Sequence, residues 1–269
     1  MIVDAHVHFW DPTALQYPWL DELPALQRSF LPADYPKAVE QCVVIEGNCL
    51  PTQSVPEVQF FERLANDDPR IVGIVAFAEL TEPAALECLT NKPLVKGIRQ
   101  NIQGQPSGFA LRRAFAEGVR EVGARGWTFD LCITHDQLSE AIALVERCPD
   151  TQFVLDHCAK PAIRTAARDP WRRDLARLAA HENVCCKISG LLTEADLAHW
   201  NDDDLLPYAT HAVDCFGIDR VLYGSDWPVL TLAGDYASWF QFTAHFTQSW
   251  SDHERRRFYA ENAARVYRV

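Results

Sequence analysis

Three side chains at the two ends of the chain are arranged to do chemistry together. His6 and His8 follow the short apolar run Met1-Ile2-Val3, with one residue between them, and Asp226 sits in Ser225-Asp226-Trp227-Pro228. Residues two apart on a strand point the same way, so both imidazoles can converge on one metal ion or one reacting group. A carboxylate beside them is a natural general base. Each has a plainer reading: hydrogen-bonded structural histidines for the pair, and an N-cap of the following helix for Asp226. His157 follows an apolar run and precedes Cys158-Ala159-Lys160-Pro161, which suits a catalytic or ligating group as well as a satisfied core histidine. Arg99 and Lys187 are cations near strand ends, placed to bind substrate or to pair with Glu46 or Asp130. Trp10, Trp19 and Trp227 could wall a ligand ring or fill core space. The expected set is Asp226 and His157 as catalytic groups, with Arg99, Lys187, Trp19, Trp227 and Lys160 contacting substrate. His6, His8 and Asp226 would hold one divalent ion, zinc or manganese, with metal-independent chemistry as the alternative. His135 and Glu194 are weaker candidates, and Glu194 at a helix start is more often a dipole-complementing charge.

These groups need a frame that gathers strand ends. Short β-branched runs alternate with amphipathic stretches, the pattern of a parallel sheet with crossover helices. Eight strands are expected, at Ile2–His6, Cys42–Glu46, Ile71–Phe77, Val95–Arg99, Thr128–Ile133, Gln152–His157, Val184–Ser189 and Arg220–Ser225. Helical periodicity marks Phe109–Ala124, Gln137–Arg147, Trp171–His181 and Asp204–Phe216. Eight strand-helix units close into an α/β, (β/α)8 TIM barrel spanning residues 1–269 as one domain, whose active site lies at the C-terminal strand ends. An open doubly wound sheet would carry a Gly-rich first turn, whereas this turn reads His-Val-His-Phe-Trp. The aromatic, Pro-rich stretch Phe9–Pro36 is too long for an ordinary connection and is expected over the catalytic mouth. Ser251–Tyr267 reads as a closing helix, with Ser251 as N-cap and Glu254 as its capping-box partner.

The 269 residues carry 25 Lys+Arg against 37 Asp+Glu, a net charge of -12, which opposes general affinity for nucleic acid or anionic membranes. Nine cysteines form no CxxC pair, and Cys132, Cys158, Cys185 and Cys186 lie in or beside apolar runs. That usage suits a reducing cytoplasm. No signal peptide or bilayer-length apolar run is evident, so a soluble cytoplasmic protein is expected.

The segments Asp4-Ala5-His6-Val7-His8-Phe9-Trp10-Asp11-Pro12, Tyr17-Pro18-Trp19-Leu20, Gly97-Ile98-Arg99, Phe129-Asp130-Leu131, Asp156-His157 with Lys160-Pro161, Cys186-Lys187-Ile188-Ser189-Gly190-Leu191 and Gly224-Ser225-Asp226-Trp227-Pro228 together resemble the amidohydrolase superfamily. Within it they resemble the amidohydrolase-related (amidohydrolase 2) branch, which holds sugar lactonases and 2-pyrone-4,6-dicarboxylate lactonase. The opening segments are most similar to the L-fuconolactonase and L-rhamnonolactonase group. The resemblance implies a (β/α)8 barrel, hydrolytic chemistry and a catalytic aspartate at strand eight. Two-metal members carry a bridging lysine or glutamate at strand four, where Ile98-Arg99-Gln100 offers none, and strand five ends in Ile133-Thr134 with His135 just beyond. A site for no more than one ion follows.

The expected reaction is hydrolysis of a sugar-derived aldonolactone to its aldonic acid, with Asp226 activating water. A metal-dependent non-oxidative decarboxylase of a hydroxybenzoate-like acid and a non-catalytic sugar-binding barrel are the alternatives. The partner is then a small sugar lactone, with no nucleic acid and no membrane, and a homodimer is compatible with the sequence.

Overall fold

A computed structural model describes residues 1–82 and 84–269. Eight parallel strands stand in one sheet in chain order: β1 (Val3–Val7), β2 (Gln41–Ile45), β3 (Ile71–Ala76), β4 (Val95–Ile98), β5 (Thr128–Leu131), β6 (Gln152–Leu155), β7 (Val184–Ile188) and β8 (Val221–Tyr223). The sheet closes just past β8, where Asp226 N donates to His6 O at 2.8 Å and His8 N to Trp227 O at 2.7 Å. This is a (β/α)8 barrel.

Helix α1 (Ser54–Asp67) follows β2, α2 (Arg113–Ala124) follows β4, α3 (Leu138–Arg147) follows β5 and α4 (Trp171–Ala179) follows β6. The short α5 (Leu191–Glu194) and α6 (Asp202–Phe216) follow β7, and α7 (Tyr236–Phe246) follows β8. The closing helix runs from α8 (Asp252–Arg256) through a π-turn at Arg257–Glu261 into α9 (Asn262–Tyr267), and Ser251 and Glu254 form the expected capping box. Two of the eight units lack an α-helix among the described residues. The β1–β2 link contains only 3-10 turns at Pro18–Glu22 and Pro24–Leu26, and the β3–β4 link only one at Glu87–Leu89. In the first of these, proline at 12, 18, 24, 32 and 36 recurs too often for a helix to run on.

Strand side chains alternate between two apolar layers. Val44, Ile74, Phe129, Leu131 and Phe153 pack outward among helix residues such as Phe61, Phe115 and Leu144. Val3, Ala5, Val43, Ile45, Val75, Val154 and Leu222 fill the lower bore, together with Ala263, Val266 and Tyr267 of α9. The pairing of β1 with β2 shifts register between Asp4 and Val7. A bulge re-aims the side chains that follow it, and here Val3 and Ala5 join the apolar plug while His6 and His8 reach the mouth above. No helix among the described residues is long and apolar enough to cross a membrane.

Candidate active site

Above the apolar plug lies a buried charged layer, and its composition follows from the cost of isolated charge in a dry interior. Lys187, on β7, is fully buried and donates to Asp156 Oδ1 at 2.9 Å and to Asp130. Asp130 also accepts from Tyr267 OH at 2.7 Å and Thr128 Oγ1 at 3.1 Å. Arg99, past β4, donates from Nε to Glu46 Oε1 at 2.6 Å, from Nη2 to Glu46 O at 2.7 Å and from Nη1 to Asp156 Oδ2 at 3.2 Å. Burial works to raise the Asp156 pKa, but Lys187, His6 and Arg99 together hold it well below the carboxylate range. Asp130, on which burial prevails, is raised. Removing one member of such a layer typically costs about 3–5 kcal/mol, because its partner is left charged and unpaired.

On this layer rests the cluster brought together from the ends of β1, β6 and β8. Asp226 Oδ1 lies 3.4 Å from His8 Nε2, 3.6 Å from His6 Nε2 and 3.9 Å from His157 Nε2. Burial lowers the His6 pKa well below its ordinary value and brings His157 down to about 4 against the opposing pull of Asp226, so both rings are neutral at neutral pH. Burial would raise Asp226, but His157, His8 and His6 outweigh it and hold its carboxyl below the usual carboxylate range, because a proton entering the cluster settles on an imidazole before it reaches the carboxylate. Ile45 O faces His8 Nδ1 at 3.0 Å and can only accept, so Nδ1 carries the proton and Nε2 presents a lone pair. That lone pair is 3.1 Å from His6 Nε2.

Two hydrogen-bonding arrangements satisfy this geometry. With its proton on Nε2, His6 donates to His8 while Lys187 Nζ, 3.2 Å away, serves Nδ1. With the proton on Nδ1, facing Asp156 Oδ1 at 3.2 Å, the acceptors His6 Nε2, His8 Nε2 and Asp226 Oδ1 confront one another, and a cation satisfies all three. The donor set therefore fits a divalent ion. Among the described residues His6, His157 and Asp226 are the group whose ligand atoms all fall within 4.8 Å of one another, with His8 alongside. Two neutral imidazoles and a carboxylate are the ligands of an open catalytic site.

Local backbone conformations aim these groups. His157, Cys158, Ala159 and Lys160 all have positive φ, from 47° to 62°, as does Asp226 at 62°. Such a conformation costs a residue with a Cβ roughly 1–2 kcal/mol, so a run of four is held by its surroundings. Trp171 Nε1 donates to Cys158 O at 2.8 Å, and Ser189 Oγ meets His157 Nδ1 at 2.9 Å. Gly190 makes room: a Cβ there would lie 2.5 Å from His157 Nδ1, and its own φ is +61°.

A cleft of about 290 Å3 opens over the cluster, lined by His8, Arg99, His157 and Asp226 at its base and by Trp19, Lys160, Asn48, Asn101, Gln103 and Cys132 among its walls. The expected contacts Arg99, Trp19 and Lys160 thus line it. Lys187 does not, since it lies beneath His6 in the charged layer. Trp227 packs instead among Phe9, Phe30 and Tyr35, with ring centroids 5.3–5.8 Å away. The stretch Phe9–Pro36 contributes Trp19 to the mouth, tied by Nε1 to Gly47 O at 2.8 Å. His135 begins a 3-10 turn after β5 and does not line the cleft. The Glu194 carboxyl is raised by burial, partly offset by Lys160. Asn48, Asn101 and Gln103 are wall residues that the strand-end reading passed over. Asn101 stands two residues beyond Arg99, the spacing that singled out His6 and His8, but a neutral amide past a strand end resembles any loop residue.

The amidohydrolase family profile matches residues 3–269. An L-fucono-1,5-lactonase from Burkholderia ambifaria is 31% identical, covering 99% of this chain and 95% of its own. One from Burkholderia multivorans is 32% identical, covering 98% and 95%. A crystal structure of an amidohydrolase from Burkholderia multivorans with bound zinc superposes with a TM-score of 0.92 at 29% identity, over 100% of this chain and 99% of that one. With the profile running nearly the whole length and the strand-end groups gathered at one mouth, this chain belongs to the amidohydrolase family.

Proposed function

We propose that the protein hydrolyses a sugar-derived aldonolactone, of the L-fucono-1,5-lactone or L-rhamnonolactone type, to its aldonic acid. The observation that carries this reading is Asp226 ionised at the base of the cleft within 3.9 Å of three imidazoles. The L-fucono-1,5-lactonase relatives, matched over nearly their full length, support the substrate class.

Water bound over Asp226 gives up its proton to the carboxylate as it attacks the lactone carbonyl, and the same proton passes to the ring oxygen as the ring opens. No described residue hydrogen-bonds Asp226 Oδ2, which leaves that oxygen for the water. Arg99 and Lys160, the cations lining the cleft, offset charge developing on the carbonyl oxygen. His157, held by Ser189, faces Asp226 at 3.9 Å and takes up a proton ahead of the carboxylate as the pH falls. One divalent ion, zinc or manganese, would be held by His6, His157 and Asp226 with His8 beside it, and when bound it polarises the carbonyl and acidifies water.

Purified protein mixed with L-fucono-, L-rhamnono- and L-galactonolactones should release acid well above the spontaneous rate. Spontaneous rates with all three would reject the reading, and carbon dioxide release from a hydroxybenzoate would replace it with decarboxylation.

A further inference from the structure

The wall facing the β2 and β4 side of the cleft is built of neutral amides. Asn48 follows β2, and Asn101 and Gln103 follow β4; all three line the cleft. Past β4 the side chains alternate. Arg99 turns into the cleft, Gln100 turns away to accept from Leu80 N at 2.9 Å, and Asn101 turns in again. Asn101 Oδ1 is buried yet has no hydrogen-bond partner among the described residues. A buried amide oxygen without a donor loses its hydration for nothing, unless a ligand supplies the donor.

The charges of the cleft point the same way. The Arg99 guanidinium is committed on three nitrogens to Glu46 and Asp156. Of the cations lining the cleft, Lys160 alone forms no ion pair among the described residues. A ligand with two anionic groups would meet one free cation and the Asp226 carboxylate, with no second unpaired cation among the described residues that line the cleft. A ring bearing hydroxyls would find acceptors and donors along that wall.

We propose that Asn101, flanked by Asn48 and Gln103, reads the ring hydroxyls of the lactone and makes the cleft selective for neutral polyhydroxylated lactones over dianionic ones. This rests on the lactonase reading above. The test compares L-fucono-1,5-lactone with δ-valerolactone, a six-membered lactone without hydroxyls, and with the dianion 2-pyrone-4,6-dicarboxylate. In the wild type, kcat/KM for the dianion should be at least 100-fold below that for the sugar lactone. In Asn101→Ala the ratio of kcat/KM for the sugar lactone to that for δ-valerolactone should fall threefold or more, about tenfold for one neutral hydrogen bond, with the loss carried by KM. The near-isosteric Asn101→Leu, which keeps the volume and removes the accepting oxygen, serves if the alanine variant does not fold, and its ratio should fall as well. A ratio changed by less than threefold, or a dianion turned over within 100-fold of the sugar lactone, overturns the inference and leaves the lactonase reading intact. Wild-type protein that opens neither neutral lactone sinks both.

Discussion

Gly190 shows how a single position fixes a catalytic ring. Its positive φ and the 2.5 Å approach of His157 Nδ1 both exclude a side chain. Gly190→Ala should lose about 1–3 kcal/mol of stability and lower kcat with the metal-ligand residues still present, checked by thermal denaturation alongside lactone turnover. The groups legible from sequence at this scale were those whose type is unusual at a strand end: His6, His8, His157 and Asp226. Depth within the barrel was not legible. Lys187 and Ser189 share a face of β7 and its extension, but only Ser189 reaches His157, while Lys187 sits lower and is spent on Asp130 and Asp156. Trp227 was misplaced for a related reason, since the positive φ of Asp226 aims that carboxylate at the cleft while the next ring turns into the aromatic packing under Phe9–Pro36.

At the scale of elements, all eight strands lie where β-branched runs place them, differing mainly at their C-terminal ends. There the sequence continues apolar or polar without a break while the backbone leaves the sheet to present side chains, as at Asp156 after β6. Helix starts were legible where a cap announces them. Ser251 accepts from Glu254 N, and Glu254 reaches back to Ser251 N at 2.7 Å. Ser251→Ala should cost about 1 kcal/mol, seen as a lower denaturation midpoint with an unchanged kcat. The helix expected from Phe109 begins only at Arg113, because Arg112 is extended, with ψ at 135°. The β1–β2 and β3–β4 links show the limit of counting units: eight strands imply seven crossovers, but prolines leave a crossover free to be an irregular cover, and in the first link that cover supplies Trp19.

For the whole molecule, the buried titratable groups set how stability follows pH. Glu57 on α1 is fully buried, accepts from Gly47 N at 3.0 Å, and is pushed up to about 8 by burial and then by Glu46. A carboxyl raised in the folded state stabilises fully below its unfolded pKa, and that contribution is lost as pH rises through the folded value. His157, lowered to about 4, acts in the opposite sense between about pH 4 and 6.5, and Asp4, raised to about 6, is spent by the same point. The window from pH 6.5 to 8 is left to Glu57. Over it the wild type should lose up to ~1 kcal/mol per pH unit; Glu57→Gln, which keeps the Gly47 contact, should flatten the slope, as read by urea denaturation at each pH. An unchanged slope would mean that Glu57 titrates normally.

Acid release from L-fucono-1,5-lactone by wild-type protein and Asp226→Asn, with both shown folded by circular dichroism, tests most directly whether β1, β6 and β8 build one hydrolytic centre. Turnover should drop about 100- to 10,000-fold in the variant at every substrate concentration. An Asp226→Asn protein opening the lactone within a few-fold of the wild-type rate would contradict it.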